Sequence, residues 1–373
     1  MIRNLARRFA DEVLAPVALE YDEKEEIPWD VVREAHRLGL MNLDIPVAYG
    51  GQGLDFFTTC IVMEELATGC AGIMHTLEAN SLMARPLLLY GSEEQKRAFL
   101  LPHCREPRLG ALALTEPEHG SDVTTLSTRA EFQDDSYIIN GRKCFITNGG
   151  VADLYTVFPA TDPSQGPKGL SCFVVPGNQP GLSGGRKERK MGLRSSHTAD
   201  VIFDGVRVPP ENLVGLAGQG YRIAMDTLEV FRILAAAGSV GIARSALEKA
   251  CRYAGQRQQF GRPIGSNQAI QVLLADMGTA VEAARLLVWR AAWLADQGRA
   301  DGKLAAMAKT YASDTAMKVT TDAVQIFGGY GYMRDYGIEK LMRDAKVGQI
   351  YEGTNQIQRL IVARELLKEH EHA

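Results

Sequence analysis

The segment Asp344–Arg359, with the sequence DAKVGQIYEGTNQIQR, places a single carboxylate, Glu352, between an aromatic ring and a glycine. The residues that follow recur at helical spacing, namely Ile357, Leu360, Ile361, Arg364 and Leu367. The pattern predicts a helix preceded by a turn. Glu352 is therefore expected on a turn at the entrance to a helix.

Two effects compete for the charge of Glu352. A helix N-terminus favours the ionised form, whereas burial beside Tyr351 raises the pKa from its usual value of roughly 4.3. In a dry cleft filled by substrate, burial would win and make Glu352 a usable base near neutral pH. The alternative is that Glu352 only interacts with the helix dipole in the first turn.

The composition is that of an ordinary globular protein that is large enough for two or three domains. Of 373 residues, 46% are hydrophobic and 23% are charged. A net charge of −4 gives no general attraction to nucleic acid or to an anionic membrane. An anionic ligand must therefore be met by a local cluster of donors.

The six cysteines are scattered singly without a CxxC motif, which predicts neither a metal site nor a disulfide framework and suits a reducing compartment. The basic start Met1–Phe9 lacks an apolar signal core, so we expect a first helix there. No apolar run is expected to span a bilayer. We expect a bacterial cytoplasmic protein, with a processed mitochondrial-matrix chain as the alternative.

Periodicity divides the chain into three domains and predicts a mainly α fold with a central β domain. Residues 1–110 show helical patterns, including 61–67 and 72–90. Residues 111–215 hold short β-branched or aromatic runs separated by turn residues, and residues 216–373 return to long helices that end at Gly298 and Gly328. Long helices with buried stripes indicate a bundle that neighbouring subunits complete.

Four motifs follow one another along the chain in this order: Thr115-Glu-Pro…Gly-Ser-Asp122, Ile146-Thr-Asn-Gly149, Gln325-Ile-Phe-Gly-Gly329 and Tyr351-Glu-Gly-Thr354. Taken alone, the polar loops could reflect only the chemistry of turns. With the helical, β and helical thirds, the motifs resemble the acyl-CoA dehydrogenase family over nearly the whole chain. The segment His75–Leu82 is similar to the one that lines the acyl pocket in the medium-chain branch.

The resemblance implies an N-terminal helical domain, a β-barrel or sandwich, and a C-terminal four-helix bundle. It also implies a homotetramer, built as a dimer of dimers, that binds FAD noncovalently. The residues expected near the flavin or behind the base are Leu112, Thr115, Ser121, Phe145, Thr147, Thr354 and Gln356. The adjacent subunit would hold the pyrophosphate and adenosine through Arg257, Gln259, Phe260, Gln325 and Gly329.

The implied reaction is the α,β-dehydrogenation of a saturated short- or medium-chain acyl-CoA to a trans-2-enoyl-CoA in fatty acid β-oxidation. Glu352 would take the α-proton, the β-hydrogen would leave as hydride to flavin N5, and an electron-transferring flavoprotein would accept the electrons. Glu78 would lie at the bottom of the acyl pocket, where its charge discourages longer tails. The expected substrate contacts are Glu78, Ser121, Met225, Asp226, Leu228, Arg232, Tyr351 and Gly353.

The sequence differs from the family pattern at three residues, and three alternative functions remain open. Glu118 and His119 replace small residues in the loop over the flavin, and Phe145 stands where tryptophan is common, so it covers less area. The alternatives are a dehydrogenase for branched, dicarboxylic or aromatic acyl-CoA, an acyl-CoA oxidase, and a non-catalytic DNA-binding relative. The acidic charge and the presence of Glu352 argue against the last of these.

Overall fold

The computed structural model describes residues 1–371. The N-terminal part is helical, with π-helical turns at Ala10–Leu14 and Lys96–Leu100. Its helices are α1 (Ile2–Phe9), α2 (Ala15–Lys24), α3 (Trp29–Arg37), α4 (Phe56–Tyr90), α5 (Glu93–Gln95) and α6 (Leu101–Cys104).

Helix α4 spans both segments that the sequence predicts, 61–67 and 72–90, and has a kink between them. It is buried along most of its length, and the helical geometry is interrupted at Cys70, where φ is −158° and ψ is 110°. Asp55 caps its N-terminus, and the carboxylate of Asp296 accepts the backbone N–H groups of Phe56 at 2.7 Å and Phe57 at 2.8 Å. The first turn of α4 is thus tied to the C-terminal bundle.

The middle part is a sandwich of two four-stranded sheets, ordered β1-β4-β5-β8 and β2-β3-β7-β6. The β1–β4 pair is parallel and the other pairs in these sheets are antiparallel. Inward side chains such as Tyr155, Phe173 and Phe203 form the core between the sheets. The strands are β1 (Gly110–Ala113), β2 (Arg129–Gln133), β3 (Ser136–Thr147), β4 (Leu154–Val157), β5 (Cys172–Pro176), β6 (Leu182–Lys187), β7 (Thr198–Val208) and β8 (Leu213–Val214).

The C-terminal part is a helical bundle. Helix α7 packs against both α4 and α9, and α9 also contacts α8, α10 and α11. A short β-ribbon of β9 (Gln258–Gln259) and β10 (Arg262–Pro263) follows α7. The helices are α7 (Gly220–Gln256), α8 (Gln268–Asp296), α9 (Gly302–Phe327), α10 (Ile338–Val347) and α11 (Asn355–His370).

Helices α4 and α7 are long and apolar enough to cross a membrane by length and composition, contrary to the expectation from the sequence. Their most apolar stretches are, however, 78% and 89% buried inside the protein. Such burial is typical of core helices, and the two helices pack against each other at the centre of the fold.

A buried ion network joins α4, α7 and α8. The guanidinium of Arg244 on α7 lies 2.6 Å from a carboxylate oxygen of Glu64 and also pairs with Glu65. Arg285 on α8 reaches Glu64 at 3.0 Å. The network fixes the two core helices relative to each other.

Replacing Arg244 by Met should lower the free energy of unfolding by about 3–5 kcal/mol, because two buried carboxylates lose their main partner. Chemical denaturation of the FAD-loaded protein measures the change. Arg3→Met is the matched control: Arg3 also pairs with Glu65, at 2.8 Å, but its side chain is 55% exposed, so its loss should cost under about 1 kcal/mol. Equal effects of the two changes would contradict the importance of the buried pair.

Candidate active site

A cavity of about 1200 Å3 opens where the three parts of the chain meet. Helix α4 contributes His75 and Glu78 to its wall, and the β domain contributes the segment around Phe145. Helix α7 supplies Arg232, and the turn between α10 and α11 supplies Glu352. No single part of the chain could form this site alone.

Glu352 lies on a strained turn at the entrance to α11, as the sequence predicts. Its φ is +54°, in the left-handed region that is uncommon for residues other than glycine, and Gly353 follows with φ +87°. A Cβ at Gly353 would lie 2.4 Å from the side-chain nitrogen of Gln358, so only glycine fits there. That nitrogen donates to the carbonyls of Glu352 at 3.1 Å and Gly353 at 3.2 Å.

The capping role at α11 belongs to Thr354. Its hydroxyl accepts the backbone N–H of Ile357 at 3.3 Å. One carboxylate oxygen of Glu352, Oε2, is buried and has no hydrogen-bond partner in the described structure. Glu352 therefore does not act as the cap of α11.

The pKa of Glu352 is raised to about 7, mainly by burial and secondly by the carboxylate of Glu78. The charges of His75, Arg232 and Lys309 oppose this rise. Although protein atoms surround the carboxylate densely, it remains partly accessible through the cavity. A carboxylate with a pKa near 7 can take up a proton at neutral pH.

His75 contacts Glu78, Thr147 and the turn that carries Glu352. Its Nδ1 lies 3.3 Å from Glu78 and its Nε2 lies 3.2 Å from the hydroxyl of Thr147. Its ring is 5.3 Å from that of Tyr351. Sequence reasoning placed His75 in the segment that resembles the wall of an acyl pocket but gave it no individual role, although its spacing of three from Glu78 on one helix was a usable signal. Glu78 is 4% exposed, and its Oε1 has no partner among residues 1–371.

Most of the residues expected around the flavin, the base and the acyl group line this one cavity. Two do not: Asp226 accepts a hydrogen bond from Tyr90 instead, and Gln356 is exposed on α11. The predicted residues that line the cavity are Glu78, Leu112, Thr115, Ser121, Phe145, Thr147, Met225, Leu228, Arg232, Tyr351, Glu352, Gly353 and Thr354.

The residues assigned to the neighbouring subunit's cofactor lie apart from the main cavity. Arg257, Gln259 and Gly329 line a second cavity of about 450 Å3. The guanidinium of Arg257 sits 5.2 Å from the ring centroid of Tyr330, and guanidinium is well suited to a pyrophosphate. Phe260 is 98% exposed, and Gln325 is exposed near the end of α9.

The main cavity fits a flat aromatic cofactor. Phe145 is 64% exposed on its wall and has φ +57°, within an irregular segment of β3. An exposed ring on a left-handed backbone is unfavourable in isolation, so a stacking partner would compensate it. The volume exceeds the roughly 300–1000 Å3 of typical ligand pockets and leaves room for a cofactor ring beside a substrate. The site thus combines a carboxylate of raised pKa with room for a flat cofactor, as in a class of enzymes that act beside a bound ring.

Comparison with known proteins identifies the family. Acyl-CoA dehydrogenase N-terminal, middle and C-terminal domain models match residues 1–107, 111–206 and 218–367. An acyl-CoA dehydrogenase of Bacillus subtilis is 48% identical over 98% of this chain and 97% of its own. The chain belongs to the acyl-CoA dehydrogenase family, and it is an FAD-dependent oxidoreductase.

Solved structures agree with this assignment. Butyryl-CoA dehydrogenase from Megasphaera elsdenii matches with a TM-score of 0.96 and 44% identity, over 98% of this chain and 97% of that one. A chain solved in work on the electron transferring flavoprotein of Acidaminococcus fermentans matches with a TM-score of 0.96, 47% identity and the same coverage.

The raised pKa of Glu352 should make stability depend on pH. The protonated form is favoured in the folded state, so this contribution is complete below the unfolded pKa of about 4.5 and is lost as the pH rises through about 7. Glu352→Gln removes that loss. The variant should be more stable than the unmodified protein at pH 8, by at most about 3 kcal/mol because the cavity admits water, and the gain should shrink toward pH 4.5.

Denaturation of the FAD-loaded proteins at several pH values between 5 and 8 measures this difference. Glu23→Gln makes the same chemical change at an exposed position and should have little effect at any pH. A gain in Glu352→Gln that does not vary with pH would show that the carboxylate titrates normally.

Proposed function

We propose that the protein converts a saturated short- or medium-chain acyl-CoA to its trans-2-enoyl-CoA, with Glu352 as the base that removes the α-proton. The observation that carries this proposal is the buried carboxylate oxygen of Glu352, which has no partner in the described structure and belongs to a group whose pKa is about 7. A base of this kind suits a proton that only becomes acidic beside a thioester carbonyl.

Substrate entry would strengthen the base. An acyl group that fills the cavity expels water, and the loss of solvation raises the pKa of Glu352 further. The negative charge that develops on the thioester oxygen needs a donor in place beforehand. The backbone N–H of Glu352 is suited to this, since it has no hydrogen-bond acceptor among residues 1–371.

When bound, FAD would supply the hydride acceptor for the β-hydrogen. The residues that would hold its ring are Leu112, Thr115, Phe145 and Thr147, all on the wall contributed by the β domain. Arg257, Gln259 and Gly329 would hold the remainder of the cofactor bound to an adjacent subunit of a homotetramer. Their placement in a separate cavity supports this division.

The preference for shorter chains rests on the polar groups of Glu78 and His75, which line the cavity. A long apolar tail packed against the Glu78 carboxylate, whose buried Oε1 has no partner among residues 1–371, would offer it no hydrogen bond. The similarity to butyryl-CoA dehydrogenase supports the same preference. The match to a chain from work on an electron transferring flavoprotein supports such a flavoprotein as the electron acceptor.

Anaerobic mixing of the FAD-loaded protein with butyryl-, octanoyl-, palmitoyl- and isovaleryl-CoA tests the proposal through loss of flavin absorbance. Butyryl- or octanoyl-CoA should act at least about tenfold faster than palmitoyl-CoA, because a long apolar tail would pack against the polar groups of Glu78 and His75 in the cavity wall. Fastest bleaching by isovaleryl-CoA would favour the branched-chain alternative. An absence of bleaching by all four would contradict the proposal.

A further inference from the structure

Lys309 is buried directly behind the catalytic turn. It lies on α9, is 1% exposed, and donates its ammonium protons to the carbonyl oxygen of Gly353 at 2.8 Å and to Oδ1 of Asn355 at 2.9 Å. A lysine in a helix core is costly unless its donors are used. Both acceptors are neutral oxygens, so they do not neutralise the ammonium charge. That charge interacts with the nearby carboxylates of Glu352 and Asp314.

The two acceptors lie on either side of Thr354, which caps α11. Gly353 ends the left-handed pair that begins with Glu352, and Asn355 begins α11. The side chain of Asn355 is itself fixed, since its nitrogen donates to the hydroxyl of Ser313 at 2.9 Å and to Asp314 at 2.8 Å. Lys309 therefore ties the strained turn to α9, while Gln358 ties it to α11.

We infer that Lys309 is a positioning residue for the base: it holds the carbonyl of Gly353 and the side chain of Asn355 and so fixes the direction in which Glu352 faces the cavity. This inference rests on the proposed function of Glu352. It adds a residue on α9 that the sequence motifs do not mark.

The charge of Lys309 changes the pKa of Glu352 in one direction. The groups that face Glu352 are His75 and Glu78 from α4, Arg232 from α7, Lys309 from α9 and the neighbouring Tyr351. Lys309 lowers the pKa of Glu352, so its removal should raise that pKa. Burial lowers the pKa of Lys309 itself to about 8, opposed by Glu352 and Asp314 and reinforced by Arg232, and the amine therefore remains charged at neutral pH.

The test compares Lys309→Met, which removes donor and charge, with Lys309→Gln, which keeps a donor and removes the charge. Lys318→Met is the control, because it removes a lysine from the exposed face of the same helix. The first readout is the pH profile of kcat/KM for the best acyl-CoA. The second is hydrogen exchange of the backbone amides of residues 351–358 in the FAD-loaded protein.

Lys309→Met should lower kcat on the order of 10–100-fold with little change in KM, and shift the acid limb upward by about one pH unit. Exchange in residues 351–358 should become faster. Lys309→Gln should recover part of kcat and retain the pH shift, and it carries the pH test if the Met variant does not fold. Lys318→Met should match the unmodified protein.

The inference would be overturned if both variants had a lowered melting temperature but an unshifted acid limb and unchanged exchange in residues 351–358. Lys309 would then contribute only to the packing of the fold. Failure of the proposed function is a separate result. In that case the unmodified protein is bleached by no acyl-CoA, while the exchange comparison still decides whether Lys309 holds the turn.

Discussion

The site depends on the free-energy cost of burying one carboxylate, that of Glu352, in a cavity from which a substrate can displace water. Glu352 has an unpartnered oxygen and a pKa near 7, mainly because burial disfavours its charge. A solvated glutamate would be too weak a base for a proton beside a thioester. The same burial is unfavourable to folding above neutral pH, so the surrounding structure must hold the group in place.

Several contacts supply that support. The left-handed backbone at Glu352 and Gly353 turns the side chain toward the cavity, and hydrogen bonds from Gln358 and Lys309 occupy the carbonyls of the turn. Behind them, the ion network of Arg244 locks α4 to α7, which carry the opposing walls. The strain at the turn and the rigidity of the core helices thus belong to one arrangement.

Much of this could be predicted from the sequence, because helical periodicity and the motif around Glu352 are local signals. The turn, the helix after it and the order of helical, β and helical parts follow the prediction. Strands β2 and β6 are harder to predict, since their exposed and charged residues hide the alternation typical of strands. Helix α4 was predicted as two segments, 61–67 and 72–90, and its kink at Cys70 lies between them.

Contacts between distant segments were the least predictable part of the site. Asp226 was expected beside the substrate. In the fold its carboxylate accepts a hydrogen bond from the hydroxyl of Tyr90, which lies 136 residues away in the sequence. Lys309 carried no motif and would ordinarily be read as a solvated side chain, whereas the fold encloses it behind the base. The exposed ring and left-handed backbone of Phe145 likewise depend on an irregularity in β3 that composition does not reveal.

The most direct test of the account is the pH dependence of kcat/KM for flavin bleaching by butyryl-CoA, measured by stopped flow between pH 5.5 and 9. The account predicts that the rate constant rises with pH along a single acid limb with its midpoint near pH 7 and levels off above about pH 8, since Glu352 must be ionised to accept the proton. A rate constant that is already constant at pH 5.5 would show that the carboxylate ionises like a solvated glutamate. That result would contradict the role assigned here to burial.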